Sequence, residues 1–458
     1  MPAIHDFATW EPLLRLVREA NAEDLASPGG HVSGRIGRGS WSVPFKRVRP
    51  QPGRALLVED RQAEFDAVKR IHAALDEDGR HDIAFTAEIS SSGRSVLYLF
   101  SFGGAVERGI GVYPGALVLA DGAVAEPWRR LPAPAPGATA AASADPALLE
   151  RTLRDRLPDA VGAGEDEIAA AQARLGIELP EELKVLYRVT RARWEDWDEG
   201  GAGEDELVDA VGCRLFDLDH VSVADASSRP CPWQFAAVKA AVTPPGAAVQ
   251  GLAGSPGWIV FGCNYGGDQL AVDLTPGPGG HTGQVIFLSH EENVGAELLA
   301  DSLTDFVLGR KVEASSAERE LEAPVVARVN VKSLQSTEAA AHPGLEVLSI
   351  GAWDGEPLSL APVFGLPRLR TLTAYPGTLA DPLEIASLTA LEYLEIGLEE
   401  WRALLDAGAV PRGLAACGIE VRYRQHPVPV VALANELLAL WNRPTIGQII
   451  LEGQLASS

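Results

Sequence analysis

Cysteine is scarce in this chain of 458 residues, with only Cys213, Cys231, Cys263 and Cys417, and there is a single methionine. The four thiols are scattered and include no CxxC pair. That excludes a disulfide framework and a zinc ribbon and is the pattern of a reduced, cytosolic protein with a few buried thiols. Long apolar runs are missing too. Nothing approaches the ~18 consecutive apolar residues that a membrane span requires. The beginning, MPAIHDFATWEPLLRLVREA, is acidic and interrupted rather than basic and then apolar, so it does not read as a secretory signal. Positive charge is the third shortage, with 39 Lys and Arg against 63 Asp and Glu and a formal net charge of −24.

The deficit is uneven. Residues 1–150 carry 16 basic and 19 acidic side chains, residues 151–310 carry 12 and 26, and residues 311–458 carry 11 and 18. The middle third alone therefore holds −14 of the −24. Such a surface repels phosphate backbones and attracts basic partners, which argues against nucleic acid as a ligand. Hydrophobic content of 46% with 22% charged residues is that of ordinary globular protein, and the length calls for about three domains.

Residues 1–131 read as a small α+β domain of no familiar type. Phe7, Trp10, Leu13, Leu14 and Val17 lie at helical spacing, as do Phe65, Val68, Ile71 and Ala74. Ser40–Phe45, Ala55–Val58, Ile83–Ile89, Val96–Phe102 and Ala116–Ala120 read as strands. Trp128 is expected to close this domain's core. Residues 132–148, rich in Pro, Ala, Ser and Gly, lack the large apolar side chains needed to offset ordering and are expected to be a semi-stiff linker.

A helical pattern resumes at Glu150, with Leu153, Leu157 and Val161. In the next pair of helices, Glu165, Asp166 and Glu167 suit the positive end of a helix dipole. Gly176 supplies the stop, and Pro180 opens the second helix. Ile168, Leu175, Leu183 and Leu186 would pack the two as a hairpin. Further on, Trp258–Phe261, Leu270–Val272 and Val285–Leu288 are short apolar runs separated by Gly266-Gly267-Asp268 and by a Gly/Pro loop over 276–283. This predicts a three-stranded antiparallel meander.

These features resemble, in order and spacing, the SUKH superfamily (the Smi/Knr-like family). The carriers are the Glu-x-Glu-Ile and Leu-Gly-x-x-Leu-Pro-x-x-Leu segments, Leu215-Phe216-Asp217-Leu218, Trp258 to Gly262, Gly267-Asp268 with Leu270 and Asp273, and a closing helix over Leu298–Leu308 with Ser302 as its N-cap. The likeness covers about residues 160–310, and the domain is drawn at 149–312. It departs from the family at Arg191–Gly203, where an Asn-Gly turn is usual, and in a Pro/Ala-rich insertion over 222–256.

Beyond a charged linker, Leu345-x-x-Leu348-x-Ile350, Leu369-x-x-Leu372-x-Ala374 and Leu391-x-x-Leu394-x-Ile396 repeat at offsets of 24 and 22 residues, with Val326 and Leu414 starting weaker copies. Periods in the low twenties resemble leucine-rich repeats, one strand plus a return segment each, although the asparagine after each strand is missing. This domain is drawn at 323–458, with a helix over Pro427–Trp441 and Ile446–Leu451 as a last strand or a packed tail.

Chemistry is sparse. Asp268 and Asp273, five apart on a hairpin, fall on opposite strand faces and suit turn amides and a strand end better than an acid/base pair. The Pro276–Gly280 loop lacks the GK[ST] ending and a following helix, so it is no phosphate cradle. His281, His290 and Glu291 form no closed ligand set at a recognised spacing, and no GxSxG elbow is present. Glu395, Glu399, Glu400 and Trp401 read as a solvated acidic rim.

The expected protein-binding residues are therefore Trp194, Glu195, Asp196, Trp197, Asp198 and Glu199, an aromatic–acidic cluster suited to a basic, partly apolar partner, together with Asp268 and Asp273. The expectation is an α+β protein without catalytic residues, cofactor or metal. The resemblance implies, for bacterial members, immunity proteins that neutralise a toxin, here a basic toxin domain. For fungal relatives it implies a regulatory scaffold for cell-wall or signalling functions. High Ala, Gly and Arg usage points to a bacterial source, which makes toxin immunity through the acidic SUKH-like surface the first expectation and the regulatory scaffold the alternative.

Overall fold

The computed structural model describes residues 3–46, 61–193, 202–310, 324–422 and 424–456. Contacts divide the chain into two compact units, one made of residues 1–123 with 327–458 and the other of residues 124–326. The expected strand Ala55–Val58, the cluster Trp194–Glu199 and the charged linker over 311–322 lie outside the described residues.

In the first unit, five antiparallel strands run in the order Gly447–Gln454, Arg94–Ser101, Asp82–Ile89, Val32–Gly37, Ser40–Ser42. The predicted amphipathic helices, Phe7–Ala20 and Gln62–Glu77, cover one face. Trp10, Leu13, Leu14, Val68 and Ile71 bury against Phe85, Leu97 and Leu99, every one of them at most 1% exposed. Burial of this kind is worth about 1.5–3 kcal/mol per large side chain.

A second sheet of seven strands contains the repeats. Val347–Ile350, Thr371–Ala374, Tyr393–Gly397 and Ala416–Glu420 are parallel, and their register steps by one repeat at a time: Val347 faces Thr371, Thr371 faces Tyr393 and Tyr393 faces Ala416. The Leu-x-x-Leu period thus delivers one strand per repeat, with Leu348, Leu372, Leu394 and Cys417 stacked in the core. The sheet continues antiparallel into Pro114–Val118 and Val106–Arg108.

Residues 1–131 and 323–458 are expected from the sequence to be separate domains. In the structure they share both sheets, because Ala416 pairs with Val118 and the whole of Gly447–Gln454 pairs with Arg94–Ser101. Of the segment Ile446–Leu451, residues Gly447 to Leu451 form the first part of that edge strand, and Ile446 is buried just before it.

The second unit begins before the proposed linker. Trp128, expected in the N-terminal core, is buried here and donates Nε1–H to the Arg229 carbonyl. The Pro/Ala stretch is strapped down rather than free. Gln250, 3% exposed, accepts from the Ala133 amide at 2.8 Å and donates to the Ala133 carbonyl at 3.0 Å. Thr139 accepts from the Thr282 amide. Backbone polar groups that small side chains could not bury thus find fixed partners.

Helices Pro146–Arg156, Glu165–Leu175 and Glu181–Val189 follow, and Gly176 closes the second of them in the left-handed conformation at φ 69°. They pack on the meander Trp258–Cys263, Gln269–Asp273 and Gln284–Leu288, whose antiparallel register is as the apolar runs predict. Ile259, Phe261, Leu270, Val272 and Val285 face the helices, while Trp258, Val260, Ala271, Ile286 and Leu288 face the insertion side. Gly277, Gly279 and Gly280 lie against the carbonyls of residues 246–248, where any Cβ would collide. That close approach is why the loop is built of glycine.

Two elements differ from expectation. The closing helix is only Leu303–Val307, capped by Ser302 as foreseen, because Glu297–Ala300 instead adds a strand beside Gln284–Leu288. A helix, Ala202–Val211, has no counterpart among the expected elements and overlaps the last two residues of the departure segment Arg191–Gly203.

Candidate protein-binding site

The residues singled out in the sequence do not come together. Asp273 is fully buried and accepts from the Thr275 amide at 2.7 Å and from Gln284 Nε2 at 2.9 Å. Burial pushes its carboxyl up despite these bonds. A side chain with no exposed surface meets no partner directly, so Asp273 is an internal strut. Asp268 is tied differently from the turn-amide role expected of it. Its Oδ1 accepts from both the backbone N and Nδ1 of His290, at 2.9 and 2.7 Å, and its Oδ2 accepts from Asn264 Nδ2 at 2.7 Å. The His290 amide, then its imidazole and Asn264, hold the Asp268 carboxyl below its usual range. Asn264 serves the turn instead, its Oδ1 accepting from the amides of Gly266 and Asp268.

This double tether fixes a hairpin tip on which one side chain stands out. Tyr265 has φ 64°, in the left-handed region that β-carbon-bearing residues avoid, and is 57% exposed. Its hydroxyl donates to Glu204 Oε1 at 2.9 Å. Arg214 lies over its ring at 5.3 Å and pairs with the same Glu204 oxygen at 2.9 Å. Partial burial and then the Glu204 bond keep the phenol protonated. The helix Ala202–Val211 supplies Glu204, the strand Arg214–Leu215 supplies Arg214, and the tip supplies Tyr265. None of the three is legible as a set from spacing.

Beside the tip lies an open, largely apolar cleft of about 540 Å³ lined by Asn264, Leu270, Phe287, Leu299, Phe306 and Cys213. Arg156 borders it, donating to the carbonyls of Ala210 and Val307 at 2.6 and 2.8 Å, so two helix C-termini are capped by one guanidinium. Burial and the neighbouring Cys263 push the Cys213 thiol up to about 12. It stays protonated near neutrality and is a lining group rather than a nucleophile.

Residues 162–309 match the family model described as SMI1 / KNR4 family (SUKH-1). The middle of this chain is a SUKH-1 domain. Three curated relatives are similar over parts of the chain. The glucan synthesis regulatory protein of Neurospora crassa is 32% identical over 102 residues, 21% of this chain and 19% of that protein. The cell wall biosynthesis/cell cycle regulator smi1 of Schizosaccharomyces pombe is 39% identical over 74 residues, 16% and 14% of the respective chains. KNR4/SMI1 homolog 2 of Debaryomyces hansenii is 37% identical over 62 residues, 14% and 10%. The chain thus spans at most about a fifth of the length of these relatives. The SUKH-1 domain contains the helical hairpin, the meander, Tyr265 and the cleft.

Elsewhere, the acidic rim expected around Glu395–Trp401 is partly internal. Trp401 is fully buried, and Glu400, 6% exposed, accepts from the Gly377 amide. Among the described residues, no three His, Cys, Asp or Glu side chains converge as a metal site. No described helix is long and apolar enough to cross a membrane.

Proposed function

We propose that this protein is a non-enzymatic, cytosolic regulatory scaffold whose SUKH-1 domain holds a protein partner against Tyr265 and the adjoining cleft. The observation that carries this reading is Tyr265 itself, an exposed aromatic kept in a costly backbone conformation and braced by Arg214 and Glu204. Residues in the left-handed region cost roughly 1–3 kcal/mol and persist where the surroundings impose them. A rigid tyrosine beside an apolar cleft loses little entropy on binding, as interface anchors do. Two of the relatives are named as regulators, one of glucan synthesis and one of cell-wall biosynthesis and the cell cycle, which supports the regulatory reading.

A toxin-immunity role is the second reading, favoured by the −14 balance of residues 151–310, which suits a basic toxin domain. Trp194, Glu195, Asp196, Trp197, Asp198 and Glu199 would add aromatic and acidic contacts to either partner.

Affinity capture on the full chain, at low and high salt, tests both. Tyr265→Ala is expected to abolish capture, and alanines at Trp194, Asp196, Trp197 and Asp198 to weaken it. Recovery of a salt-sensitive basic toxin domain would favour immunity, and recovery of a cell-wall or signalling factor the scaffold. Undiminished capture by the Tyr265 variant would overturn the site.

A further inference from the structure

The strand Gly447–Gln454 closes one sheet edge and opens another. Its inner side pairs with Arg94–Ser101 over eight residues, and among the described residues no strand pairs with its outer side. Proteins ordinarily blunt such an edge with Lys, Pro, a bulge or a very short strand. The opposite edge of the same sheet follows that rule, being only the three residues Ser40–Ser42. Gly447–Gln454 does not. It is eight residues long, regular in register, free of Pro, Lys and Arg, and carries Glu452 as its one charge. Ile450 is 54% exposed in the middle of it.

Its sequence also reads nearly the same in both directions. About Ile450 the pairs are Ile449 with Leu451, Gln448 with Glu452, and Gly447 with Gly453. In an antiparallel pairing across a two-fold axis at Ile450, each of the seven residues Gly447 to Gly453 therefore meets its own mirror mate. Ile450 meets Ile450 on the exposed face, Ile449 meets Leu451 on the face toward the helices, and each Glu452 meets an uncharged Gln448 able to donate to it. No charge opposes itself, and Arg94, 3.6 Å from Glu452 within the same chain, offsets that carboxylate.

We propose that this edge binds a second copy of the chain, joining two five-stranded sheets into one continuous ten-stranded sheet. The interface is isologous, as two-fold pairing requires. Edge pairing alone buries less than the roughly 1,200 Å² of a stable interface, so the dimer is concentration-dependent.

Sedimentation velocity of the full chain over a hundredfold concentration range is expected to show a reversible monomer–dimer shift. Ile450→Lys, at an exposed position that leaves the fold intact, sets two ammonium groups opposite each other and should weaken the dimer by about tenfold or more. Gln448→Arg should tighten it, because the new guanidinium faces Glu452 of the second copy. Ile450→Cys should yield a disulfide-linked dimer under mild oxidation that wild type, with its native thiols, does not form. A chain monomeric at every concentration, a dimer indifferent to Ile450→Lys, or weakening by Gln448→Arg would each overturn the pairing.

Discussion

Arg214 covers the Tyr265 ring at 5.3 Å while sharing Glu204 with the Tyr265 hydroxyl, so one carboxylate and one guanidinium immobilise an aromatic side chain that is still more than half exposed. Most exposed tyrosines keep their rotamer freedom and lose it on binding. This one has already lost it in the free protein.

Stability and binding should therefore separate at Tyr265. Tyr265→Gly removes the left-handed backbone penalty, about 1 kcal/mol, and also the cation–π contact, about 0.5–1 kcal/mol. The denaturation midpoint should barely move, while partner affinity falls by tenfold or more, as for a central interface anchor. Chemical denaturation and a partner titration on the same variant check both halves.

Glu395 makes the pH dependence of the first unit predictable. Burial first, and then Glu420, push its carboxyl up from 4.5 to about 7. The folded state holds the proton more tightly than the unfolded one, so stability contributed by this group is greatest below pH 4.5 and declines as pH rises toward 7. Glu395→Gln should stabilise the protein by on the order of 3 kcal/mol at pH 8 and change little at pH 4.5. Thermal melts of both proteins across that range would show the curves converging in acid; parallel curves would refute the assignment.

The depressed Asp268 carboxyl acts in the opposite sense. Its bonds to His290 and Asn264 are present above the ordinary carboxylate range and are lost as pH falls through its lowered folded value. Asp268→Ala should accelerate hydrogen exchange at the His290 amide and loosen the Tyr265 tip without unfolding the meander. Residue-resolved exchange near neutral pH tests this, and an unchanged His290 amide would count against it.

Gln250 governs the strap. Gln250→Ala leaves the Ala133 amide and carbonyl without their buried partner, at a cost of about 1–3 kcal/mol. Limited proteolysis of the full chain should then cut within 131–145 faster than it does in the wild type, and equal cutting rates would count against the strap.

Periodic features were the legible ones. The amphipathic helices, the hairpin stop at Gly176, the Ser302 cap, the meander and the parallel strands at Leu348, Leu372 and Leu394 all follow from local pattern and turn chemistry. The helix Ala202–Val211 left a weak trace, Leu207, Ala210 and Val211 at helical spacing, hidden by its acidic start. What escaped depends on residues far apart in the chain. Composition described the 132–148 stretch as a linker because the side chain that fastens it, Gln250, is more than a hundred positions away. Likewise, Glu204, Arg214 and Tyr265 meet only once helix, strand and turn are assembled, and no spacing rule joins them.

The pairing of Gly447–Gln454 with Arg94–Ser101 also bears on how the protein is made. The 345 positions between Ser101 and Gly447 take roughly 20–70 s to synthesise at ordinary translation rates. By the end of that interval the residue 1–123 portion has left the ribosome with the Arg94–Ser101 edge still unpaired, whereas residues 124–326, contiguous in sequence, have every described strand of their own sheet. The nascent chain thus carries a finished middle and an unfinished beginning, and the interval before its last strand arrives is when a chaperone has most to protect.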